Sequence, residues 1–215
     1  MLFPQSAKGA TEVQTMQQVI DFILELDKLK GVTRKTRSPG LDRYENSAEH
    51  SWQIAMFAIA LQPYADAPVD LNRVIRMLLV HDIGEIDTGD TIVFAEGGWK
   101  ERKAAELLAV KRILGMLPAP LSAELVALWQ EFELGETDDA RFAGAIDRAM
   151  PALLNLNNQG QSWRENGISY ERVVKRIGPQ IAAGCPALWS YMESRLRAAN
   201  ESGWFAAAPQ DSDGA

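Results

Sequence analysis

Residues 70–85 read DLNRVIRMLLVHDIGE, and this stretch decides the fold class. Apolar residues recur in it at helical spacing, and Asp70 is a residue type that commonly caps the start of a helix. The pattern predicts a helix over 70–85, with His81 and Asp82 in its last turns. The buried stripe of this helix would consist of Val74, Ile75, Leu78 and Leu79.

The same helical periodicity covers most of the remaining chain, while strand signals are almost absent. Asn46 and Glu49 resemble a capping pair, which would start the second helix near residue 47. We therefore predict an all-α fold, a single-domain helical bundle. The further helices are predicted at about 11–30, 47–62, 99–116, 121–134, 138–157, 168–177 and 179–201. The first helix carries an apolar stripe formed by Val13, Met16, Val19, Ile20, Ile23, Leu26 and Leu29.

The chain of 215 residues shows no Pro/Gly/Ser-rich stretch or charge block that would divide it in two. We expect one domain over residues 1–205 and a disordered tail over 206–215, which is small and polar. Apolar residues make up 47% of the chain and charged residues 24%, which is typical of a globular protein.

Charge and hydropathy exclude several classes of partner. The net charge of -7 argues against a nucleic acid polymer, because such binding relies on Lys and Arg replacing condensed counterions. No apolar run approaches the roughly 20 residues needed to cross a bilayer, so we expect no membrane partner and a cytoplasmic location. A small anionic substrate remains compatible with the composition, because a bound dication reverses the local field.

The polar residues at the end of the stretch 70–85 indicate a functional site. On a continuous helix, His81, Asp82 and Glu85 would emerge beside Leu78 on one face. The chain contains only two histidines, so this placement in a strongly apolar segment needs an explanation.

Asp147 presents the same puzzle, because its helical neighbours Ala143, Met150 and Leu154 form a core-facing stripe. An ionised carboxylate buried alone is too costly, so its partner should be a metal or a basic side chain. Arg148 is adjacent, but adjacent helical residues point about 100° apart, which favours the metal.

Imidazole together with carboxylate oxygens suits one divalent ion such as Mn, Co, Mg, Fe or Zn. Such a site leaves positions for water and substrate, lowers the pKa of a water and polarises a phosphoryl oxygen. This is the chemistry of phosphoester hydrolysis.

Four segments together carry a family resemblance: ENSAEHSW at 45–52, HDIGE at 81–85, TGD at 88–90 and AID at 145–147. This order resembles the H…HD…D signature of HD-domain metal-dependent phosphohydrolases, over roughly residues 15–160. Within that superfamily the sequence is most similar to the bacterial 5′-deoxynucleotidases and their eukaryotic HD-domain-containing relatives. The resemblance implies an HD-domain helical bundle.

The resemblance also implies roles for individual residues. Glu85 would position or deprotonate the attacking water, and Asp90 would help to hold the substrate or its leaving group. An arginine about sixteen residues before the first histidine contacts the substrate phosphate in these families, and Arg34 has that place here. Arg37 or Arg43 could serve instead, because the segment differs in length. The implied metal ligands are His50, His81, Asp82 and Asp147.

Other roles are open for single residues taken alone. A lone buried His50 could be a core histidine bonded to a backbone carbonyl. Glu85 could be a solvated glutamate, although the helix dipole opposes a negative charge at a helix C-terminus. The segment around Asp90 could be an ordinary turn.

The leading functional prediction is metal-dependent hydrolysis of a phosphomonoester, a deoxyribonucleoside 5′-monophosphate, by a protein that the resemblance implies to be a homodimer. A different HD-type activity, on a cyclic nucleotide or guanosine tetraphosphate, is the first alternative. The second is a non-catalytic regulatory domain whose metal only ties helices together. Elemental analysis and a substrate screen would separate these possibilities.

Overall fold

The computed structural model describes the backbone of residues 7–95 and 97–207 and the side chains of residues 13–95 and 97–207. Helices dominate these ranges, and the strands found within them form one two-stranded sheet. The predicted all-α class is confirmed. The elements are α1 (Ala7–Leu26), β1 (Thr33–Arg37), β2 (Tyr44–Asn46), α2 (Ser47–Leu61), α3 (Leu71–Val80), α4 (Glu85–Thr88), α5 (Trp99–Leu114), α6 (Ala119–Leu134), α7 (Asp138–Asn157), α8 (Gln161–Glu165), α9 (Tyr170–Gly184) and α10 (Pro186–Glu201), with short 3₁₀ segments at Asp27–Gly31 and Gln62–Tyr64.

Helix α7 is the central element and carries Asp147. It packs against α2, α3, α6 and α9. Small residues such as Ala143 and Ala149 on its buried face allow these helices to approach closely. At the end of α9, a Cβ on Gly184 would collide with the backbone carbonyl of Arg141. This close packing explains why Asp147 is only 4% exposed.

Helix α2 begins where its capping pair predicts. The Asn46 side chain accepts a bond from the Glu49 amide at 3.0 Å, and the Glu49 carboxylate accepts one from the Asn46 amide at 3.3 Å. This capping box satisfies two N–H groups that the first turn would otherwise leave unpaired. His50 therefore lies in the first turn, where it is completely buried.

The helix predicted over 70–85 is wrong at its C-terminal end. It starts after Asp70 as predicted, but it stops one residue before His81. The next turn is closed by a bond from the Glu85 amide to the Asp82 carbonyl, and Glu85 opens the short helix α4. A Cβ on Gly84 would lie 3.0 Å from a carbonyl of α5, so the glycine permits close packing at this turn.

Residues 33–46, for which no secondary structure is predicted, form a β-hairpin between α1 and α2. Strand β1 pairs antiparallel with β2, with Thr33 opposite Asn46. The sequence of β1 is TRKTR, which lacks the apolar alternation that identifies a strand. Pairing across the hairpin nevertheless brings Arg34 next to Glu45.

The predicted break between the last two helices is also misplaced. Helix α9 continues through Pro179 and ends at Gly184, and Pro186 opens α10. A proline in the first turn of a helix costs no backbone hydrogen bond, because the N–H groups there have no partner within the helix. Pro179 lies in the interior of α9, where it removes one such bond. Packing of α9 on α7 offsets that loss. The short helix α8 was not predicted.

Helix α1 differs from its prediction in the face that it buries. It ends at Leu26, and the 3₁₀ segment Asp27–Gly31 follows it. Its buried contacts come from Phe22, and Leu29 of the 3₁₀ segment is also buried. The stripe residues that are largely exposed are Val13, Met16, Ile20 and Ile23.

The ends of the predicted domain are only partly described. The Ala206 amide donates to the Ile168 carbonyl, so the chain is attached to the fold there. Residues 1–6, and residues 208–215 of the expected tail, lie outside the described residues. Across the described ranges, the helices all lack the combination of length and hydrophobicity that crossing a bilayer requires.

Candidate metal centre

Residues from four secondary-structure elements and two connecting segments meet in one place. β1 supplies Arg34, and α2 supplies His50. The turn after α3 supplies His81 and Asp82, and Asp147 comes from the middle of α7. Glu85 comes from α4, and Asp90 from the segment after it. With the exception of the fully buried His50, these predicted site residues line one cavity.

Three of the four predicted metal ligands form a compact buried group: His50, His81 and Asp147. One ligand atom from each lies within 4.8 Å of the others. Oδ1 of Asp147 is 3.0 Å from Nε2 of His50 and 3.5 Å from Nε2 of His81. Two imidazole nitrogens and a carboxylate oxygen are a donor set that suits a borderline divalent ion.

The fourth predicted ligand, Asp82, stands at the edge of this group. Its Oδ2 is 3.0 Å from Nε2 of His81, but it also accepts a bond from Nη1 of Arg34 at 2.6 Å. Asp82 is therefore shared between His81 and Arg34 through one carboxylate oxygen, Oδ2.

The orientation of the His81 ring fits a metal ligand. Its Nδ1 lies 2.8 Å from the carbonyl of Leu78, which can accept a bond from a protonated Nδ1. In that tautomer Nε2 presents a lone pair toward Asp147. Nε2 is buried, and it has no hydrogen-bond partner with acceptable geometry in the described part of the chain. A bound cation would accept the lone pair of this buried nitrogen and so provide the partner that it lacks.

The electrostatics of the group also favour a cation. Burial opposes a charge on His81, but Asp82 and Asp147 outweigh burial and raise its pKa to about 10. Burial, followed by the charge of Arg34, lowers the pKa of His50 to about 4. The surrounding carboxylates therefore favour one positive charge on the histidine pair, carried by His81. A bound dication can supply that positive charge instead.

Glu85 is 9% exposed, and Oγ of Ser47 donates to its Oε2 at 2.6 Å. Burial, together with the negative charge of Asp82, raises the pKa of Glu85 to about 8. A buried carboxylate with a raised pKa, fixed in place beside charged groups, is a common feature of catalytic acids and bases. The alternative of a solvated glutamate is wrong.

Of the three candidate arginines, Arg34 alone lies in the cavity. It is near Glu45 and Asp90 as well as Asp82, with its Nη1 3.8 Å from an oxygen of Asp90. Arg37 stacks on a tyrosine ring and pairs outside the site, and Arg43 pairs with the exposed Glu49.

Arg148 does reach Asp147, contrary to the argument from helix geometry. Its Nη1 lies 3.4 Å from Oδ2 of Asp147. The side chain is long enough to curl back along the helix, which the angle between adjacent Cα–Cβ directions does not describe. Asp147 therefore has Arg148 and both histidines as neighbours. Burial alone would raise the pKa of its carboxyl, but these groups outweigh burial and hold that pKa well below its usual range.

Sequence reasoning missed several residues at the site. Glu45 and Ser47 are buried there, and both lie inside the quoted segment at 45–52 without having been assigned a role. Trp129 of α6 donates from Nε1 to the His81 carbonyl at 2.9 Å, and the ring of Phe132 lies edge-on to His81. The apolar character of these two aromatic residues indicates only that they are buried, and no local pattern connects them to His81.

A helical bundle with a buried His/Asp centre defines the class of this protein. A family model for the HD domain matches residues 26–189, and the chain belongs to that family.

Named relatives and one solved structure are similar to this chain. It is 25% identical to 5′-deoxynucleotidase HDDC2 of Bos taurus over 143 residues, which are 66% of either chain. It is 26% identical to the HDDC2 protein of Xenopus laevis over 161 residues, 73% of either chain. The crystal structure of a "predicted metal-dependent phosphohydrolase" from Magnetospirillum magnetotacticum is 41% identical, with a TM-score of 0.84, and the match covers 90% of this chain and 100% of that one. The match to the Bos taurus protein covers just under two thirds of that protein's length.

Proposed function

We propose that this protein is a metal-dependent phosphomonoesterase that removes phosphate from deoxyribonucleoside 5′-monophosphates. The observation that carries the proposal is the buried group of His50, His81 and Asp147, because His81 and Asp147 line a cavity together with Glu85 and Arg34. The names of the vertebrate relatives support the substrate class. The metal-dependent phosphohydrolase at 41% identity supports the reaction class.

The metal ligands that we propose are His50, His81, Asp82 and Asp147, holding one divalent ion. When bound, the ion supplies a Lewis acid for a phosphoryl oxygen. The burial of the two histidines excludes bulk water from the group, which strengthens the interaction of the ligands with a cation.

Glu85 acts as the general base in this proposal. Its carboxylate takes a proton from the attacking water as the water approaches phosphorus, and the bond from Ser47 leaves one of its oxygens free for that task. A raised pKa matches the group to proton transfer near neutral pH.

Substrate binding is assigned to Arg34 and Asp90. The guanidinium of Arg34 offers several N–H donors and binds phosphate oxygens. Asp90 lines the same cavity, and burial raises the pKa of its carboxyl. As a carboxylate it accepts hydrogen bonds from the sugar hydroxyls, and in its protonated form it donates a proton to the leaving oxygen. Apolar and aromatic side chains that can contact a nucleoside form another part of the wall: Ile92, Val93, Phe94, Trp99 and Phe132.

The substrate screen tests the reaction class directly. Chelator-stripped protein is reloaded with Mn²⁺, Co²⁺ or Mg²⁺ and assayed for phosphate release from deoxyribonucleoside and ribonucleoside 5′-monophosphates, 3′-monophosphates, cyclic nucleotides and guanosine tetraphosphate. We expect activity on the deoxyribonucleoside 5′-monophosphates that disappears on chelation. Preference for a cyclic nucleotide or the tetraphosphate would replace the proposed substrate, and cation binding without turnover on any of them would favour the regulatory role.

Replacing Arg34 by lysine is expected to raise KM with little change in kcat. Lysine keeps the charge but loses the planar pair of donors, and one charge-assisted hydrogen bond is worth about 1.5–3 kcal/mol, or a KM increase of roughly tenfold or more. Steady-state kinetics measure the effect, with Arg37→Ala as the matched control outside the cavity. If Arg37→Ala raises KM and Arg34→Lys does not, the assignment of the phosphate-binding arginine is wrong.

We also propose that this protein forms a homodimer. Its support is the exposed apolar face of α1 that includes Val13, Met16, Ile20 and Ile23, because such faces are commonly covered in assemblies. Light scattering on the purified chain measures the oligomeric state.

A further inference from the structure

The two histidines of the metal centre differ in how their outer ring nitrogens are satisfied. Nδ1 of His81 has the Leu78 carbonyl as its acceptor, at 2.8 Å. Nδ1 of His50 is buried and has no hydrogen-bond partner among the described residues. If Nε2 of His50 presents its lone pair to a cation, Nδ1 must carry the proton, and a buried N–H requires an acceptor.

The carboxylate of Glu45 is in position to be that acceptor. Its Oε1 lies 3.7 Å from Nδ1 of His50, and Glu45 is only 2% exposed. The same oxygen also lacks a hydrogen-bond partner within the described part of the molecule. A donor and an acceptor, both buried and both unsatisfied, thus face each other at a distance that a movement of less than about 1 Å would convert to a hydrogen bond.

The same carboxylate oxygen faces the arginine of the site. Oε1 of Glu45 is 3.4 Å from Nε of Arg34, across the β-hairpin. Glu45 therefore lies behind both a proposed metal ligand and the proposed phosphate-binding residue. It lines neither the cavity nor the surface, so it does not touch the substrate.

We propose that Glu45 is a positioning residue that accepts the Nδ1–H of His50, fixes the ring with Nε2 toward Asp147, and restrains Arg34 from the same side. This proposal rests on the part of the proposed function that places a divalent cation at the site. It does not depend on which reaction the protein catalyses. Outer carboxylates of this kind hold metal-bound histidines in one tautomer and orientation, and their loss typically weakens metal affinity about 10–100-fold.

The test measures cation affinity instead of turnover. Chelator-stripped Glu45→Ala, Glu45→Gln and wild-type proteins are titrated with Mn²⁺ in a calorimeter, and thermal unfolding checks that each variant is folded. We expect Kd to rise about 10–100-fold for Glu45→Ala. A smaller rise is expected for Glu45→Gln, because its amide oxygen still accepts the bond but lacks the charge. If Glu45→Ala fails to fold, Glu45→Gln alone decides.

Glu49→Gln is the matched control. Glu49 precedes His50 on the same helix turn, but its half-exposed carboxylate pairs with Arg43, and glutamine can still accept the capping bond from the Asn46 amide. The variant should therefore bind Mn²⁺ as the wild type does. Equal Kd values for the wild type and both Glu45 variants would overturn the proposal, and so would a wild type that binds no divalent cation. A wild type that binds Mn²⁺ but hydrolyses no phosphomonoester overturns the proposed function only.

Discussion

Replacing Asp147 by asparagine is expected to remove the divalent ion and abolish turnover. Oδ1 of Asp147 is the atom that both His50 and His81 face, so the variant loses the only charged donor in the compact three-residue group. Losing an outer partner of a ligand already weakens metal affinity about 10–100-fold, so losing the ligand itself should weaken it by more than about 100-fold. Elemental analysis after gel filtration and a phosphate-release assay measure the two effects.

Asp138→Asn is the matched control for this prediction. Asp138 lies on the same helix, but it is in the first turn and pairs with Arg141, far from the cavity. The control should keep one metal ion per chain and full activity. Full metal content in Asp147→Asn would remove Asp147 from the proposed ligands, and two tightly bound ions per wild-type chain would overturn the single-ion site.

Replacing Glu85 by glutamine is expected to lower kcat by about 10²–10⁴-fold while the metal stays bound. Proton transfer by a positioned carboxylate is typically worth that factor. Glutamine keeps the shape and can still accept the bond from Ser47, so packing and substrate affinity should change little. Steady-state kinetics on metal-loaded protein separate kcat from KM.

The neighbouring Asp87→Asn variant controls for a general change of charge in α4. Asp87 is two residues away, and it pairs with Arg112 outside the cavity. Its kcat should equal that of the wild type. Loss of the ion in Glu85→Gln would make Glu85 a ligand, and an unchanged kcat would leave the general base to be sought elsewhere.

Much of the site could be predicted because its residues break the apolar pattern around them. His81 ends a run of apolar residues, and Asp147 interrupts a core-facing stripe, so each needed a partner that the fold had to provide. The structure places these two residues together with His50 in one buried group. A polar residue inside a strongly apolar period is therefore an informative signal even in a single sequence.

Other features depend on contacts between segments that no local pattern contains. Helix α3 stops before His81 as the chain turns at Gly84 against α5, which helical periodicity does not register. The hairpin strand β1 is charged and short, so only its pairing identifies it. The local sequence around Glu45 does not indicate its role, because its neighbours at the site come from β1 and from the first turn of α2.

The β-hairpin has a consequence for how this protein can change in evolution. Its paired end fixes Arg34, Glu45 and the start of α2, whereas residues 39–43 of the connecting turn are exposed and do not line the cavity. We expect insertions and deletions in that turn to leave the pairing of Thr33 with Asn46 and the cavity unchanged. Counting residues back from His50 is therefore an unreliable way to find the equivalent arginine in distant homologues, and alignment should be anchored on the strand pair instead.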